Sequence, residues 1–231
     1  MPSLLHVEPV QRYLSELFLC SVPEREGCVA LTFDDGPNPR NTPELLDILA
    51  RKNVPATFFV LGRQVRRHPE IARRAHEEGH ELANHTDSHW PLPLLPRRLV
   101  RREVLRAEHA IRAITGEKPR FLRPPMGWFS HRTLDHLDEL GYVPVIGSVH
   151  PRDSRQPPVD VILDRVRPRL TDGAILIFHD GGWRDGVSRA NTLEAVDRLT
   201  DELLADGVRF LTVGQMTESP DPTADTTPDA N

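Results

Sequence analysis

Seven short runs of apolar, β-branched or aromatic residues recur along this chain, near positions 29–33, 55–61, 81–84, 120–122, 142–147, 174–178 and 208–211. Between them lie segments with helical spacing: Pro43 to Lys52, Pro69 to Glu78, Arg97 to Thr115, His131 to Leu140, Val159 to Leu170 and Asn191 to Ala205. Gly79, Gly116, Gly141 and Gly207 stand where helix C-caps belong. Parallel strands need a long crossover between them, so repeated βα alternation favours a parallel sheet or barrel. Seven strand signals are one fewer than the usual eight of such a barrel. Pro91-Leu92-Pro93-Leu94-Leu95-Pro96 excludes a regular helix and reads as a stiff loop.

At 231 residues the chain suits one large domain. The expected folded domain covers 28–216, with residues 1–27 as an N-terminal extension packed on it. Residues 217–231 are Pro, Asp and Thr with almost nothing apolar, and read as a disordered tail. The net charge of -5 gives no reason to expect a nucleic-acid partner. Only Lys52 and Lys118 are lysines, an Arg bias that points to genome composition rather than to phosphate binding. No apolar run is long enough to span a membrane. Glu8, Gln11, Arg12 and Glu16 interrupt any signal-peptide core, so the chain reads as cytoplasmic; a trimmed N-terminus would make it secreted or cell-envelope instead. Cys20 and Cys28 fit neither a disulfide framework nor a zinc knuckle and read as small apolar residues.

Four motifs follow strand signals. In Thr32-Phe33-Asp34-Asp35-Gly36-Pro37, two carboxylates stand where an apolar run ends. Charge is costly to desolvate, so this is a poor core and a good site, one carboxylate holding a metal and the other moving a proton. The two can diverge only if the chain turns, and Gly36-Pro37 suits a turn. In Asn84-His85-Thr86-Asp87-Ser88-His89, the histidines share one face if the segment is a helical turn. One Asp and two His make three ligands with a position left open, the arrangement of catalytic zinc. Arg123, in Phe121-Leu122-Arg123-Pro124-Pro125-Met126-Gly127-Trp128, is either a clamp for a carboxylate or an ordinary loop arginine. His179 ends Ile175-Leu176-Ile177-Phe178 and precedes Asp180-Gly181-Gly182; it is a candidate acid or base, or a hydrogen-bonded structural histidine. In a parallel barrel all four motifs would open on one face.

Taken together, Thr-Phe-Asp-Asp-Gly-Pro, His-Thr-x-x-His, Arg-Pro-Pro-x-Gly and the hydrophobic run ending His-Asp resemble the polysaccharide deacetylase family, also called the NodB homology domain or carbohydrate esterase family 4. The resemblance covers roughly residues 28–214. It implies an α/β fold, a single-domain distorted (β/α)7 barrel of mostly parallel strands. It also implies that Asp35, His85 and His89 hold a divalent metal, usually Zn2+, with Co2+ or another ion as alternatives. Asp34 would be the general base, fixed by Arg123, and His179 the general acid. A backbone N–H near Met126 would help hold the oxyanion. The substrate implied is an N-acetylated sugar or glycan, and the protein would be a monomer or weak oligomer.

Two positions depart from the family pattern. Met126 stands where Tyr or Phe is usual. Asp153-Ser154 aligns with Asp-Trp, so Asp153 could still tune His179 while Ser154 loses an apolar wall. His150 falls where relatives often have Asp and either touches substrate or packs its loop. Pro125, Met126, Gly127, Trp128, Ile177 and Trp183 are the other candidate substrate contacts. Trp90, Trp128 and Trp183 each lie near a motif and either stack on sugar rings or anchor their loops. The remaining histidines, including His80 and His136, read as solvated or capping. Three other functions fit parts of the pattern: a hydrolase of a small amide, cyclic imide or O-acetyl ester, a two-His-one-carboxylate iron oxygenase, and a non-catalytic glycan-binding module.

Overall fold

A computed structural model describes residues 8–182 and 186–218. Residues 1–7 and 219–231, including most of the expected tail, lie outside the described residues, as does Trp183.

The seven strand signals all become strands: β1 Cys28–Asp34, β2 Thr57–Val60, β3 Glu81–Asn84, β4 Phe121–Leu122, β5 Val143–Pro144, β6 Ala174–His179 and β7 Arg209–Phe210. They form one parallel sheet in the order β5-β4-β3-β2-β1-β6, with β7 against the start of β1. The sheet curls. After β5, Val149 bridges Leu176 of β6, and ahead of β1, Leu19 bridges Val145. The architecture is therefore the single-domain parallel α/β barrel that the alternation and the resemblance implied.

Period two sorts each strand between two cores. Val29, Leu31 and Phe33 of β1, Phe58 and Val60 of β2, and Leu176 and Phe178 of β6 pack outward against the helices. Cys28, Ala30, Phe59, Ala83, Phe121 and Ile175 fill the interior. By the same parity Thr32, Asp34, Arg123, Ile177 and His179 belong to the interior side at the C-terminal ends.

The helices are α1 Glu8–Leu17, α2 Thr42–Lys52, α3 Gly62–Arg67, α4 Pro69–Glu77, α5 Arg97–Thr115, α6 His131–Glu139, α7 Val159–Val166, α8 Ala190–Ala205 and α9 Val213–Thr217. Gly116 is the left-handed C-cap of α5, accepting φ 79° without a Cβ clash. Three helices, α1, α3 and α9, have no counterpart in the periodicity. Two are one turn or so long, too short for a 3.6-residue pattern to show. The Pro91–Pro96 loop contains only one tight turn, Leu92–Leu94.

Two histidines correct the reading that all those outside the motifs are solvated or capping. His80 is buried, its Nδ1 accepting the Ala56 N–H at 3.2 Å, and burial pushes its pKa down to about 4. His136 is buried on α6 with Nδ1 3.1 Å from Glu139 Oε2. Cys20 and Cys28 are both free thiols.

Candidate active site and metal centre

Asp34 ends β1 facing the interior, and Arg123 meets it from the end of β4. Arg123 Nη1 lies 2.5 Å from Asp34 Oδ1 and 2.8 Å from Thr32 Oγ1. Thr32 in turn donates to Leu176 O at 2.7 Å. The guanidinium lies 3.9 Å above the Phe59 ring centroid and is 3% exposed. Burial lowers its pKa, and the Asp34 charge and hydrogen bond oppose that. A buried guanidinium paired this way holds its carboxylate in one orientation.

Asp35 leaves the strand. Its φ is 77°, a left-handed backbone that turns its side chain away from that of Asp34. Asp35 Oδ1 lies 3.6 Å from His85 Nε2 and 3.3 Å from His89 Nε2. One donor atom from each of the three residues lies within 4.8 Å of the other two. The histidine segment is not the helical turn on which the sequence argument rested. It is an irregular loop with φ of 70° at Thr86 and 64° at His89. Asn84 Oδ1 accepts the Thr86 N–H at 2.8 Å and shapes the turn that follows β3.

The donor set fits a divalent cation. Asp35 Oδ1 is buried without a hydrogen-bond partner, an expensive state unless something positive sits beside it. His85 Nδ1 pairs with Arg123 O at 2.8 Å, so that nitrogen carries the hydrogen and Nε2 offers its lone pair to the site. Burial, with His89 adding to it, pushes the His85 pKa down to about 3, so the imidazole is neutral at ordinary pH.

His179, at the end of β6, is backed by Asp153. Its Nδ1 lies 2.9 Å from Asp153 Oδ1, and its N–H donates to Asp153 Oδ2 at 2.9 Å. Thr192 of α8 donates to the same Oδ2 at 3.0 Å. Burial alone would push the His179 pKa down. The Asp153 charge and hydrogen bond outweigh it, with Asp34 and Asp35 adding to them, and the pKa rises to about 9.

The candidate substrate contacts divide. Met126, at φ 58°, and Trp128 are exposed on the loop after Arg123, with Gly127 between them and Pro125 buried beneath. Trp90, immediately after His89, is 60% exposed. Ile177 is buried beside Thr32 in the β1–β6 register. His150 turns its Nε2 to within 3.2 Å of Gly147 O.

Residues that sequence reasoning passed over complete the centre. Asp180 is fully buried and accepts from Thr42 Oγ1 at 2.5 Å. Its carboxylate fills the notch left by Gly36, where a Cβ would lie 2.2 Å from Oδ2. Burial raises its pKa to about 7, with the Asp35 charge contributing and the Thr42 hydrogen bond opposing. Arg189 donates from Nε to Gly181 O at 2.8 Å and from Nη1 to Ser154 O at 3.0 Å, tying the His179 and Asp153 loops together. Asp180 was visible inside its motif, whereas nothing local marked Thr42, Thr192 or Arg189.

A parallel barrel that gathers three metal-type donors, an Arg-held carboxylate and an Asp-backed histidine at its strand ends defines a barrel hydrolase of the carbohydrate esterase class. The polysaccharide deacetylase family model matches residues 21–145. A chitooligosaccharide deacetylase of Sinorhizobium fredii is 43% identical over 182 residues, covering 76% of this chain and 85% of its own length. A peptidoglycan-N-acetylglucosamine deacetylase of Bacillus cereus is 34% identical over 197 residues, covering 84% of this chain and 90% of its own. Among solved structures, a peptidoglycan N-acetylglucosamine deacetylase superposes with a TM-score of 0.83 at 31% identity, covering 89% of this chain and 95% of that one. The chain belongs to the polysaccharide deacetylase family.

Proposed function

We propose that the protein is a metal-dependent hydrolase that removes N-acetyl groups from an N-acetylated amino sugar or glycan of chitooligosaccharide or peptidoglycan type. The observation that carries this is the convergence of Asp35, His85 and His89 at strand ends that also carry an Arg-held carboxylate, Asp34, and an Asp-backed histidine, His179.

Asp35, His85 and His89 would hold the divalent ion, with Zn2+ the first candidate and Co2+ an alternative. When bound, the ion supplies Lewis acidity, polarising the acyl oxygen and making a water acidic. Asp34, aimed by Arg123, takes a proton from the attacking water. The water oxygen joins the acetyl carbon, the carbon–nitrogen bond breaks, and His179 delivers the proton that the departing amine needs. Asp153 holds His179 in its charged form and in one orientation until then. Met126, Trp128 and Trp90 offer apolar surface at the rim to a sugar ring.

Asp34→Asn should keep the metal, measured by elemental analysis, and lose roughly 10²–10⁴-fold in acetate release. His85→Ala should lose both metal and activity. Full activity in Asp34→Asn would sink the base assignment, and stoichiometric metal in His85→Ala the ligand assignment. Chitooligosaccharides, peptidoglycan fragments, acetylxylan and cyclic imides assayed side by side would identify the substrate class.

A further inference from the structure

Asp87 is not one of the three converging donors, yet it stands between the two histidines that are. Its carboxylate is 7% exposed and is caught between two helices. Arg66 Nη2 of α3 lies 2.6 Å from Oδ1, and Arg106 Nε of α5 lies 3.1 Å from Oδ2. The backbone follows the same path: Gly62 N–H donates to Thr86 O at 3.0 Å and Arg63 N–H to Asp87 O at 3.1 Å. Ser88 adds its N–H and its hydroxyl, both donating to Glu103 Oε2 of α5, at 2.9 and 2.8 Å. The close crossing depends on Gly62, where a Cβ would meet Ala107 Cα at 2.5 Å and Asp87 Oδ1 at 2.7 Å.

The loop requires this restraint. Thr86 and His89 both hold left-handed φ values, a conformation that disfavours residues with a Cβ and persists only where the surroundings over-determine it. Relaxation of either residue towards an ordinary φ would swing His89 Nε2 away from Asp35 Oδ1. We propose that Asp87 is a positioning residue for the metal centre: by binding Arg66 and Arg106 together, it holds the strained loop so that both histidines converge on Asp35. The role rests on the metal reading of the triad. The arginine side chains are 41% and 50% exposed, so either can return to water when Asp87 is neutralised. Neutralising Asp87 therefore frees the loop without stranding a buried cation.

The test is zinc affinity of the full-length, metal-free protein, measured by competition with a chromogenic chelator. Asp87→Asn should raise the zinc dissociation constant about 10–100-fold, the range seen when a group that orients metal ligands from behind them is lost. Arg106→Gln should move it the same way by less, because Arg66 remains. Circular dichroism and thermal melts of the metal-free proteins check that the fold persists, and excess zinc should restore most of the lost acetate release. Unchanged zinc affinity in a folded Asp87→Asn overturns the role. If that variant does not fold, Arg106→Gln and Ser88→Ala decide, and unchanged affinity in both overturns it. Wild-type protein that binds no zinc would overturn the metal reading itself, and this inference with it.

Discussion

Asp34 and Asp35 are neighbours in the chain and strangers in the site. One stays in strand register and meets Arg123, while the other turns at φ 77° to meet two histidines. That division was legible in the sequence, because adjacent strand residues point oppositely and a Gly-Pro follows. The support behind each residue was not. His179 shows why: its pKa near 9 depends on Asp153, 26 positions away, overcoming burial. A general acid must be protonated, so kcat/KM should fall as pH rises through the His179 pKa. Asp153→Asn leaves burial unopposed by that anion and lowers the pKa. The alkaline limb of the pH–rate profile should therefore move to lower pH, and a limb that stays put would exclude His179 as the acid that Asp153 tunes. A cation on Asp35 removes part of the negative field in both proteins and leaves the direction of the difference unchanged.

At the scale of elements, periodicity located strands and long helices well because burial imposes it. It failed for α3, where Gly-Arg-Gln-Val-Arg-Arg has a single large apolar residue. It also misled on the two histidines, since spacing of four suggested a helical turn. Side-chain and backbone bonds to α3, α5 and Asn84 instead hold an irregular loop that reaches the same convergence. The α3–α5 crossing is the element on which this depends. Gly62→Ala pushes a methyl into the Ala107 backbone and should destabilise the protein by roughly 1–3 kcal/mol. Each kcal/mol should lower the melting temperature by about 2–4 °C in a chain of this size. A melt unchanged from wild type would show that the two helices can part at no cost.

At the scale of the whole molecule, two long-range closures complete the barrel. The chain after β5 bridges β6 at Val149, and the segment before β1 bridges Val145 and Ala174 through Leu19 and Ser21. Leu14 and Phe18 pack on Ile146 beside the second of these closures. The loop that follows carries Asp153 to His179. Deleting residues 1–21 should therefore lower the unfolding midpoint and reduce kcat more than it raises KM, because the Asp153 loop loses its footing. Equal melting curves and kinetics for the truncated and full chains would show that the barrel closes without this segment.

By itself the sequence determined the strand count, the parallel class and the set of candidate groups at the strand ends. Those depend on local burial periodicity and on residue chemistry that only an active site tolerates. Tertiary structure alone decided the partners: Thr42 with Asp180, Thr192 and Arg189 around Asp153, and Asp87 with its two arginines. A hydrogen bond or ion pair is set by distance in space, and residues 19 to 138 positions apart carry no local pattern that announces it. The carboxylate pair at the end of β1 marks the candidate site, and the packing around it decides which carboxylate meets Arg123 and which meets the two histidines.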